Sequence, residues 1–225
     1  MPFVGYPALF KDRVEAGKRL AGELLDYRGK DAIVLAIPRG GVVVAHQIAQ
    51  KLGIPLDLII SRKIGAPMNP ELAIGAVSQD GAKVINFEVV DMLHVSESYI
   101  EEEADRQIHE IKRRMKKYKG ESKPMPALKG KIVILVDDGV ATGATMRAAA
   151  LSIRKQEPAV LIIAIPVGPR DTIMGLRNEV DRVVCLETPW FFNAIGEFYE
   201  DFAQVSDEEV IILIEKATHS SKVPT

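Results

Sequence analysis

The amino-acid sequence predicts an α/β fold, in which a central parallel sheet is covered by helices on both faces. Short apolar runs of strand length recur along the chain, at residues 32–37, 56–61, 132–136, 160–165 and 183–186. Stretches of helix length lie between most of them, at residues 42–52, 145–156 and 171–178. This alternation is typical of parallel strands joined by crossover helices. The length of 225 residues suits one sizeable domain, and we predict a single domain over residues 1–225.

Two further helices are predicted outside this alternation. The first covers about residues 11–27, where apolar residues recur at helical spacing. The second covers residues 96–120 and begins at Ser98 and Glu101, which fit a capping box. Its apolar stripe consists of Ile100, Ala104, Ile108, Ile111, Met115 and Tyr118. We expect this long amphipathic helix to be an insertion that packs over the domain or forms a subunit contact.

Residues 62–78 lie between the second and third predicted strands of the sheet. Gly65, Pro67 and Pro70 predict that the first half is an exposed, flexible loop, and the second half is predicted to be a strand. This strand is followed by Asp80-Gly81, a pair that is typical of a hairpin turn, and then by a further short apolar run.

Composition limits the classes of protein to which the chain can belong. Its 47% hydrophobic and 27% charged residues are ordinary for a soluble domain. The net charge of −2 gives no global basic field, which argues against nucleic-acid binding. Cys185 is the single cysteine, which excludes an internal disulfide and favours a reducing compartment. No apolar stretch reaches the roughly 18 residues of a transmembrane helix, and no secretion signal is evident. We therefore predict a cytoplasmic protein without a membrane partner.

Residues 132–147, IVILVDDGVATGATMR, combine features that point to a phosphorylated sugar. Acids are rare in buried strands, so Asp137 and Asp138 at the end of this one indicate a functional role. The small residues that follow lead into a helix start, where unpaired N–H groups and the helix dipole favour an anion. The Lys of a Walker loop and the G-x-G-x-x-G of a dinucleotide fingerprint are both absent here. An ordinary strand–loop–helix turn would leave the paired acids unexplained.

The same segment resembles the 5-phosphoribosyl-1-pyrophosphate (PRPP) signature of type I phosphoribosyltransferases: apolar residues, two acids, a short variable stretch, then T-G-x-T. The resemblance implies a Rossmann-like sheet and a dependence on Mg²⁺. Asp137 and Asp138 would accept hydrogen bonds from the ribose hydroxyls and hold hydrated Mg²⁺, mainly through water and substrate. The 5-phosphate would be bound by Ala141, Thr142, Gly143, Ala144 and Thr145.

One departure from the family pattern concerns the accepting base. Phosphoribosyltransferases for 6-oxopurines usually carry a third acid just before the T-G, as a proton acceptor for the base. This chain has Ala141 at that position. The departure argues against guanine, hypoxanthine or xanthine as the substrate.

Two other segments resemble parts of the family's site. Arg39, Gly40 and Gly41 would form the pyrophosphate loop, with a non-proline cis peptide at Pro38–Arg39; a tight turn that needs glycine is the alternative interpretation. In the interval 62–78 the family carries a lid that closes over the reacting centre. Arg62 and Lys63 at its base would neutralise the departing pyrophosphate, and the alternative is a solvated pair at a strand end.

Residues 186–225 are predicted to form a C-terminal hood and helix, the latter running from Ser206 to about residue 217. In the family, a hood formed by chain ends covers the site and selects the base. Trp190 and Phe191 are our candidates for stacking on a planar base. The other hood aromatics are expected to hold the hood to the sheet.

The chain as a whole resembles a type I phosphoribosyltransferase, a glycosyltransferase of nucleotide metabolism or salvage. The implied reaction moves the 5-phosphoribosyl group from PRPP to a nucleobase or similar nitrogen nucleophile, with release of pyrophosphate. We expect a homodimer. A second hypothesis is a non-catalytic regulator that senses PRPP or a nucleotide and binds RNA or DNA. The near-neutral charge and the lack of an added DNA-binding segment argue against it.

Overall fold

The computed structural model describes residues 8–120 and 126–220. The helices in this part of the chain are α1 (Arg13–Glu23), α2 (Gly40–Leu52), α3 (Phe87–Met92), α4 (Glu97–Lys119), α5 (Ala144–Arg154), α6 (Arg170–Arg177) and α7 (Asp207–Ser220). The strands are β1 (Ala32–Ala36), β2 (Leu56–Leu58), β3 (Ser61–Ala66), β4 (Asn69–Ser78), β5 (Lys83–Ile85), β6 (Ile132–Val136), β7 (Val160–Val167) and β8 (Arg182–Glu187).

The main sheet has the strand order β2-β1-β6-β7-β8, and all neighbouring strands are parallel. β1 pairs with β6 in register from Ala32↔Ile132 to Ala36↔Val136. The segments that follow these two strands therefore leave the sheet side by side, at its carboxyl edge. The predicted parallel sheet is confirmed, and this edge is where ligands bind in such folds.

Helices cover both faces of the main sheet, as the sequence predicts. Alternate strand residues, such as Val34 and Ile134, pack with α1, α2, α4 and α7 in one buried apolar cluster. Their neighbours, such as Leu35 and Leu135, pack with α5 and α6 in a second cluster. The near-continuous apolar strands are explained by this burial on both sides.

A second, antiparallel sheet of β3, β4 and β5 corrects two expectations. The run predicted as one strand at 56–61 is divided, with β2 in the main sheet and Ser61 at the start of β3. The loop predicted for the first half of 62–78 is wrong, because β3 continues to Ala66 and pairs with β4. Ile64 and Ala66 are buried, and this burial outweighs the local turn signals.

The long helix α4 packs over the domain, one of the two placements that the sequence allows. Ile111 and Tyr118 on its apolar stripe are buried in the core. The helix is capped by Ser96 instead of the predicted Ser98, since the Ser96 side chain accepts from the N–H of Tyr99. At its other end, Lys119 pairs with Asp57 of β2 at 2.7 Å.

The hood is built from both ends of the described chain. The N–H groups of Leu9 and Phe10 donate to the carbonyl of Phe198, and the N–H of Glu200 donates to Phe10. Phe10, Phe198 and Tyr199 form a buried cluster with Val167 of β7, and Phe192 and Phe202 pack against it. Most aromatics of residues 186–225 therefore pack toward the sheet, as expected. Among the described helices, none is both long and apolar enough to cross a membrane.

Candidate active site

Asp137 and Asp138, named here the acidic pair, directly follow β6 at the carboxyl edge of the sheet. Asp138 is buried and Asp137 is half-buried. Asp137 Oδ1 accepts a hydrogen bond from the N–H of Asp138 at 2.8 Å. Burial, and then the negative charge of Asp138, raise the pKa of Asp137 well above its ordinary value. Closely spaced carboxyl groups with such a perturbation are typical of functional sites.

The phosphate loop, residues 141–145, leads from the acidic pair into α5. Gly143 is the residue before the first turn, with φ +82° and ψ −1°, and no side chain in the described part of the chain caps the helix. Two main-chain carbonyls of the loop accept side-chain hydrogen bonds. Thr172 Oγ1 donates to the carbonyl of Ala141 at 2.8 Å, and Arg147 Nη1 donates to that of Thr142 at 3.3 Å. The helix start therefore presents N–H groups and its positive dipole end, as an anion site requires.

The pyrophosphate loop, residues 38–41, joins β1 to α2 and contacts the acidic pair. The Pro38–Arg39 peptide is cis, as predicted. A Cβ added at Gly40 would lie 1.8 Å from Asp138 Oδ2, and one added at Gly41 would lie 2.8 Å from the Asp137 Cα. Both positions therefore need glycine so that this loop can approach the acids.

The side chain of Arg39 extends to the start of α7. Arg39 Nη1 lies 3.8 Å from Asp207 Oδ1, which also accepts a hydrogen bond from the Tyr118 hydroxyl at 2.6 Å. Lys117 donates to the other carboxylate oxygen of Asp207. The hydrogen bonds from Lys117 and Tyr118 lower the pKa of Asp207 below its ordinary value. Arg39 thus has a protein carboxylate as its neighbour at the loop that would bind pyrophosphate.

The two cations predicted at the base of the lid point to different faces of β3. Arg62 Nε donates to Gln107 Oε1 of α4, and its Nη1 lies 4.0 Å from Glu110 Oε1. Lys63 alternates with Arg62 and so shares the face of Ser61, whose hydroxyl donates to the carbonyl of Thr145 at 2.7 Å. By strand alternation, Lys63 lies on the face of β3 that contacts the phosphate loop through Ser61, and Arg62 contacts α4 from the other face.

Of the two stacking candidates, Trp190 lines a cleft. Trp190 and Phe191 are 82% and 74% exposed, unlike the buried hood aromatics. The cleft has a volume of about 660 Å³ and is lined by Trp190 together with Phe192, Arg170 and Asp171. The Arg170 guanidinium lies 5.9 Å from the centre of the Trp190 ring. Helix α6 contributes Arg170 and Asp171 to this cleft, and Thr172 of the same helix contacts the phosphate loop.

Residues 9–201 match the model of the family described as the phosphoribosyl transferase domain. The chain belongs to the phosphoribosyl transferase family. Two proteins of Mycobacterium tuberculosis, from strains CDC 1551 / Oshkosh and ATCC 25618 / H37Rv, are provisionally named as phosphoribosyl transferases. Each is 41% identical to this chain over 209 residues, which cover 93% of this chain and 47% of the relative. The chain thus spans about half the length of the curated relatives that it matches.

The crystal structure of the protein TT1426 from Thermus thermophilus has the same arrangement of elements. It superimposes with a TM-score of 0.77 at 40% identity, over 92% of this chain and 98% of that chain. The two chains thus share one fold over almost the full length of each, and the α/β fold that the sequence predicts is confirmed.

Sequence reasoning missed two residues that touch the acidic pair. Arg13 of α1 donates from Nε to Asp138 Oδ2 at 2.7 Å. The hydroxyl of Tyr199 donates to the main-chain carbonyl of Asp138 at 2.6 Å, and burial, followed by the charge of Asp138, raises the pKa of this tyrosine. No local motif marks either residue, because both come from distant parts of the chain.

The acidic pair fits a magnesium ion that is bound jointly with substrate. Within the described residues there is no group of three or more His, Cys, Asp or Glu side chains that could hold a metal by itself. Asp137 and Asp138 supply carboxylate oxygens, which are ligands that Mg²⁺ accepts together with water and phosphate oxygens. This arrangement suits an ion that arrives with a polyphosphate ligand.

Proposed function

We propose that this phosphoribosyl transferase moves the 5-phosphoribosyl group from PRPP to a nitrogen atom of a nucleobase. One observation carries the proposal: the acidic pair lies between β6 and the phosphate loop that leads into the uncapped start of α5, and it is packed against the glycines of the pyrophosphate loop. One side of this edge suits ribose hydroxyls and a 5-phosphate, and the other suits a pyrophosphate. The provisional names of the two mycobacterial relatives agree with this chemistry.

In the proposed reaction, the bond between the ribose anomeric carbon and pyrophosphate breaks, a carbon–nitrogen bond forms, and the proton of the attacking nitrogen passes to water or to the released pyrophosphate. The electron pair of the broken bond leaves with pyrophosphate, so negative charge grows on that group while positive charge grows on the sugar. Asp137 and Asp138 would hold the ribose hydroxyls, and residues 141–145 would hold the 5-phosphate. Arg39 and Lys63 would bind the leaving group, with Arg62 as a further candidate. Fixed charges of this kind stabilise a transition state without reorganisation.

Magnesium would be held by Asp137 and Asp138 together with PRPP, and when bound it would supply positive charge to the pyrophosphate oxygens. The protein's own part is to fix the ribose and to keep water from the anomeric carbon. Trp190 would stack on the accepting base within the cleft that it lines. Since Ala141 stands where 6-oxopurine enzymes carry an acid, we propose that the base is not a 6-oxopurine.

We also propose that the β3–β4 hairpin, within residues 62–78, closes over the site. Its turn at Pro67 and Met68 is solvent-exposed, and Met68 is 96% exposed. The pairing of β3 with β4 is irregular at Gly65, so the tip is less firmly held than the base. Hydrogen exchange across residues 62–74 should slow on adding PRPP with Mg²⁺, and much less with phosphate alone. Equal exchange in all conditions would contradict closure.

The experiment that tests the function is a screen of nucleobases for PRPP-dependent release of pyrophosphate. We expect release with one class of base other than guanine, hypoxanthine and xanthine, and none from the Asp137→Asn, Asp138→Asn double variant. Asp105→Asn, a change of an exposed acid on α4, is the matched control and should behave as wild type. Equal release by the double variant would contradict the assignment. The homodimer and the cytoplasmic location stay predictions from the sequence.

A further inference from the structure

Arg13 connects the hood to the acidic pair by three contacts. Its side chain is only 11% exposed, although it is the first residue of α1. Nε donates to Asp138 Oδ2 at 2.7 Å, and Nη1 donates to the carbonyl of Ala203 at 2.9 Å. The guanidinium also lies 3.7 Å from the centre of the Phe202 ring. A planar guanidinium can make all three contacts at once, which an ammonium group cannot.

Asp138 is consequently held from the hood at two points. Its side chain is held by Arg13, and its main-chain carbonyl accepts from the Tyr199 hydroxyl at 2.6 Å. The pyrophosphate loop packs against the same ion pair, since a Cβ at Gly40 would lie 1.8 Å from Asp138 Oδ2 and 2.8 Å from Arg13 Nε. The Asp138 carboxylate is therefore held by Arg13 of α1, and its main chain by Tyr199 of the hood, in addition to the position that β6 gives it.

Arg19 provides an internal comparison on the same helix. Its guanidinium also lies over a hood aromatic, 4.7 Å from the centre of the Phe10 ring. It too donates to a main-chain carbonyl, that of Leu9 at 3.0 Å, and to a carboxylate, that of Glu187 at 3.0 Å. Arg19 is more exposed, at 39%, and its contacts do not include the acidic pair. The two arginines thus share a structural role in the hood, and only Arg13 reaches the candidate site.

We propose that Arg13 is a positioning residue for the transfer, fixing the Asp138 carboxylate toward the ribose hydroxyls and coupling that carboxylate to the hood. This inference rests on the proposed function, because it assumes that Asp138 binds ribose. A hydrogen bond to a charged partner restrains an acid more strongly than a neutral one does. Because Phe202 and Ala203 hold the other edges of the guanidinium, an ordered hood and an ordered ribose site depend on each other.

The test compares the binding of ribose 5-phosphate and of inorganic phosphate by titration calorimetry at a fixed Mg²⁺ concentration. Both ligands use the phosphate loop, and only the first uses Asp138. We expect Arg13→Gln to weaken ribose 5-phosphate about tenfold, equal to about 1.4 kcal/mol, and to leave phosphate within about twofold. Arg19→Gln should leave both ligands within about twofold. A merely structural role predicts similar losses from the two variants, or equal losses of both ligands from Arg13→Gln.

Unchanged binding of ribose 5-phosphate by Arg13→Gln would overturn the inference, and so would an equal loss from Arg19→Gln. If Arg13→Gln does not fold, Arg13→Lys keeps the charge but not the planar fork, and the same selective loss of ribose 5-phosphate is expected. A wild-type protein that binds phosphate but not ribose 5-phosphate would contradict the proposed function itself, which separates that failure from the failure of the Arg13 inference.

Discussion

The two sides of the candidate site are built in different ways. On the sugar-phosphate side, the acidic pair and the phosphate loop belong to one strand–loop–helix unit, residues 132–154. On the leaving-group side, the cations are held by distant elements: Arg39 lies beside Asp207 of α7, and Arg62 bonds to Gln107 of α4. On the first side the ligand groups are neighbours in sequence, although Arg13 and Tyr199 also contact Asp138 from distant parts of the chain. On the leaving-group side, Arg39 and Arg62 would have to leave their protein acceptors before they bind phosphate oxygens. This side therefore depends on helices that are distant in sequence.

Among single substitutions, the largest effect is expected where the two sides touch, at Gly40. Gly40→Ala places a methyl group 1.8 Å from Asp138 Oδ2, so the buried carboxylate or the loop must move. Overpacking of this kind costs about 1–3 kcal/mol of stability. We also expect PRPP to bind at least about tenfold more weakly in calorimetry, which corresponds to about 1.4 kcal/mol or more.

Gly22→Ala is the matched control for this change. Its added Cβ on α1 would meet nothing within 4 Å, and alanine favours a helix by up to about 1 kcal/mol over glycine. Binding of PRPP should therefore be unchanged, and the protein should be slightly more stable. If Gly40→Ala bound PRPP with wild-type affinity, the close packing of Gly40 against Asp138 would not matter for binding, which would contradict the proposed connection between the two sides.

A smaller effect is expected at Arg62 and Lys63, the two cations of β3. Lys63→Gln should lower kcat/KM for PRPP about tenfold, since Lys63 shares the face of β3 that contacts the phosphate loop, and a tenfold change is about 1.4 kcal/mol. Arg62→Gln should lower it less than about threefold, because the Arg62 guanidinium is engaged by α4. A larger loss from Arg62→Gln would mean that Arg62 leaves Gln107 when PRPP binds.

The sequence predicts the local side of the site well and the assembled side poorly. The third sheet strand is expected at residues 132–136 and lies there, and the acids and the phosphate loop follow it. The sequence does not predict where the Arg62 side chain points, because the nearby Gly65, Pro67 and Pro70 indicate a loop where the structure has the buried strand β3. Arg13 is missed because 125 positions separate it from Asp138, and only tertiary folding brings the two together. Periodicity and short motifs describe neighbours in the chain, so they cannot report contacts of this kind.

The smallest expected effect is a pH dependence of stability, which we expect from His46 of α2, the helix that follows Arg39. His46 of α2 faces α7, and burial, with a lesser contribution from the charge of Lys216, lowers its pKa below 6.5. Its Nδ1 is buried with no hydrogen-bond partner among the described residues. A histidine with a lowered folded-state pKa is protonated more readily when unfolded, so its contribution to stability is lost as pH falls through about 6.5.

Urea unfolding at about pH 7.5 and about pH 5.5, on either side of the ordinary histidine pKa, measures this contribution. The free energy of unfolding should fall with pH more in wild type than in His46→Gln. An equal pH dependence of the two proteins would show that His46 does not link α2 to α7 in this way.

The most direct test of the central claim is the binding of PRPP with Mg²⁺ to the acidic pair and the phosphate loop, measured by titration calorimetry. Wild type should bind with one site per chain. The Asp137→Asn, Asp138→Asn double variant should bind PRPP at least about a hundredfold more weakly, since two hydrogen bonds to charged groups contribute about 3–6 kcal/mol together. It should still bind inorganic phosphate within about threefold of wild type, because the phosphate loop is unchanged. Equal affinity of wild type and the double variant for PRPP would contradict the account.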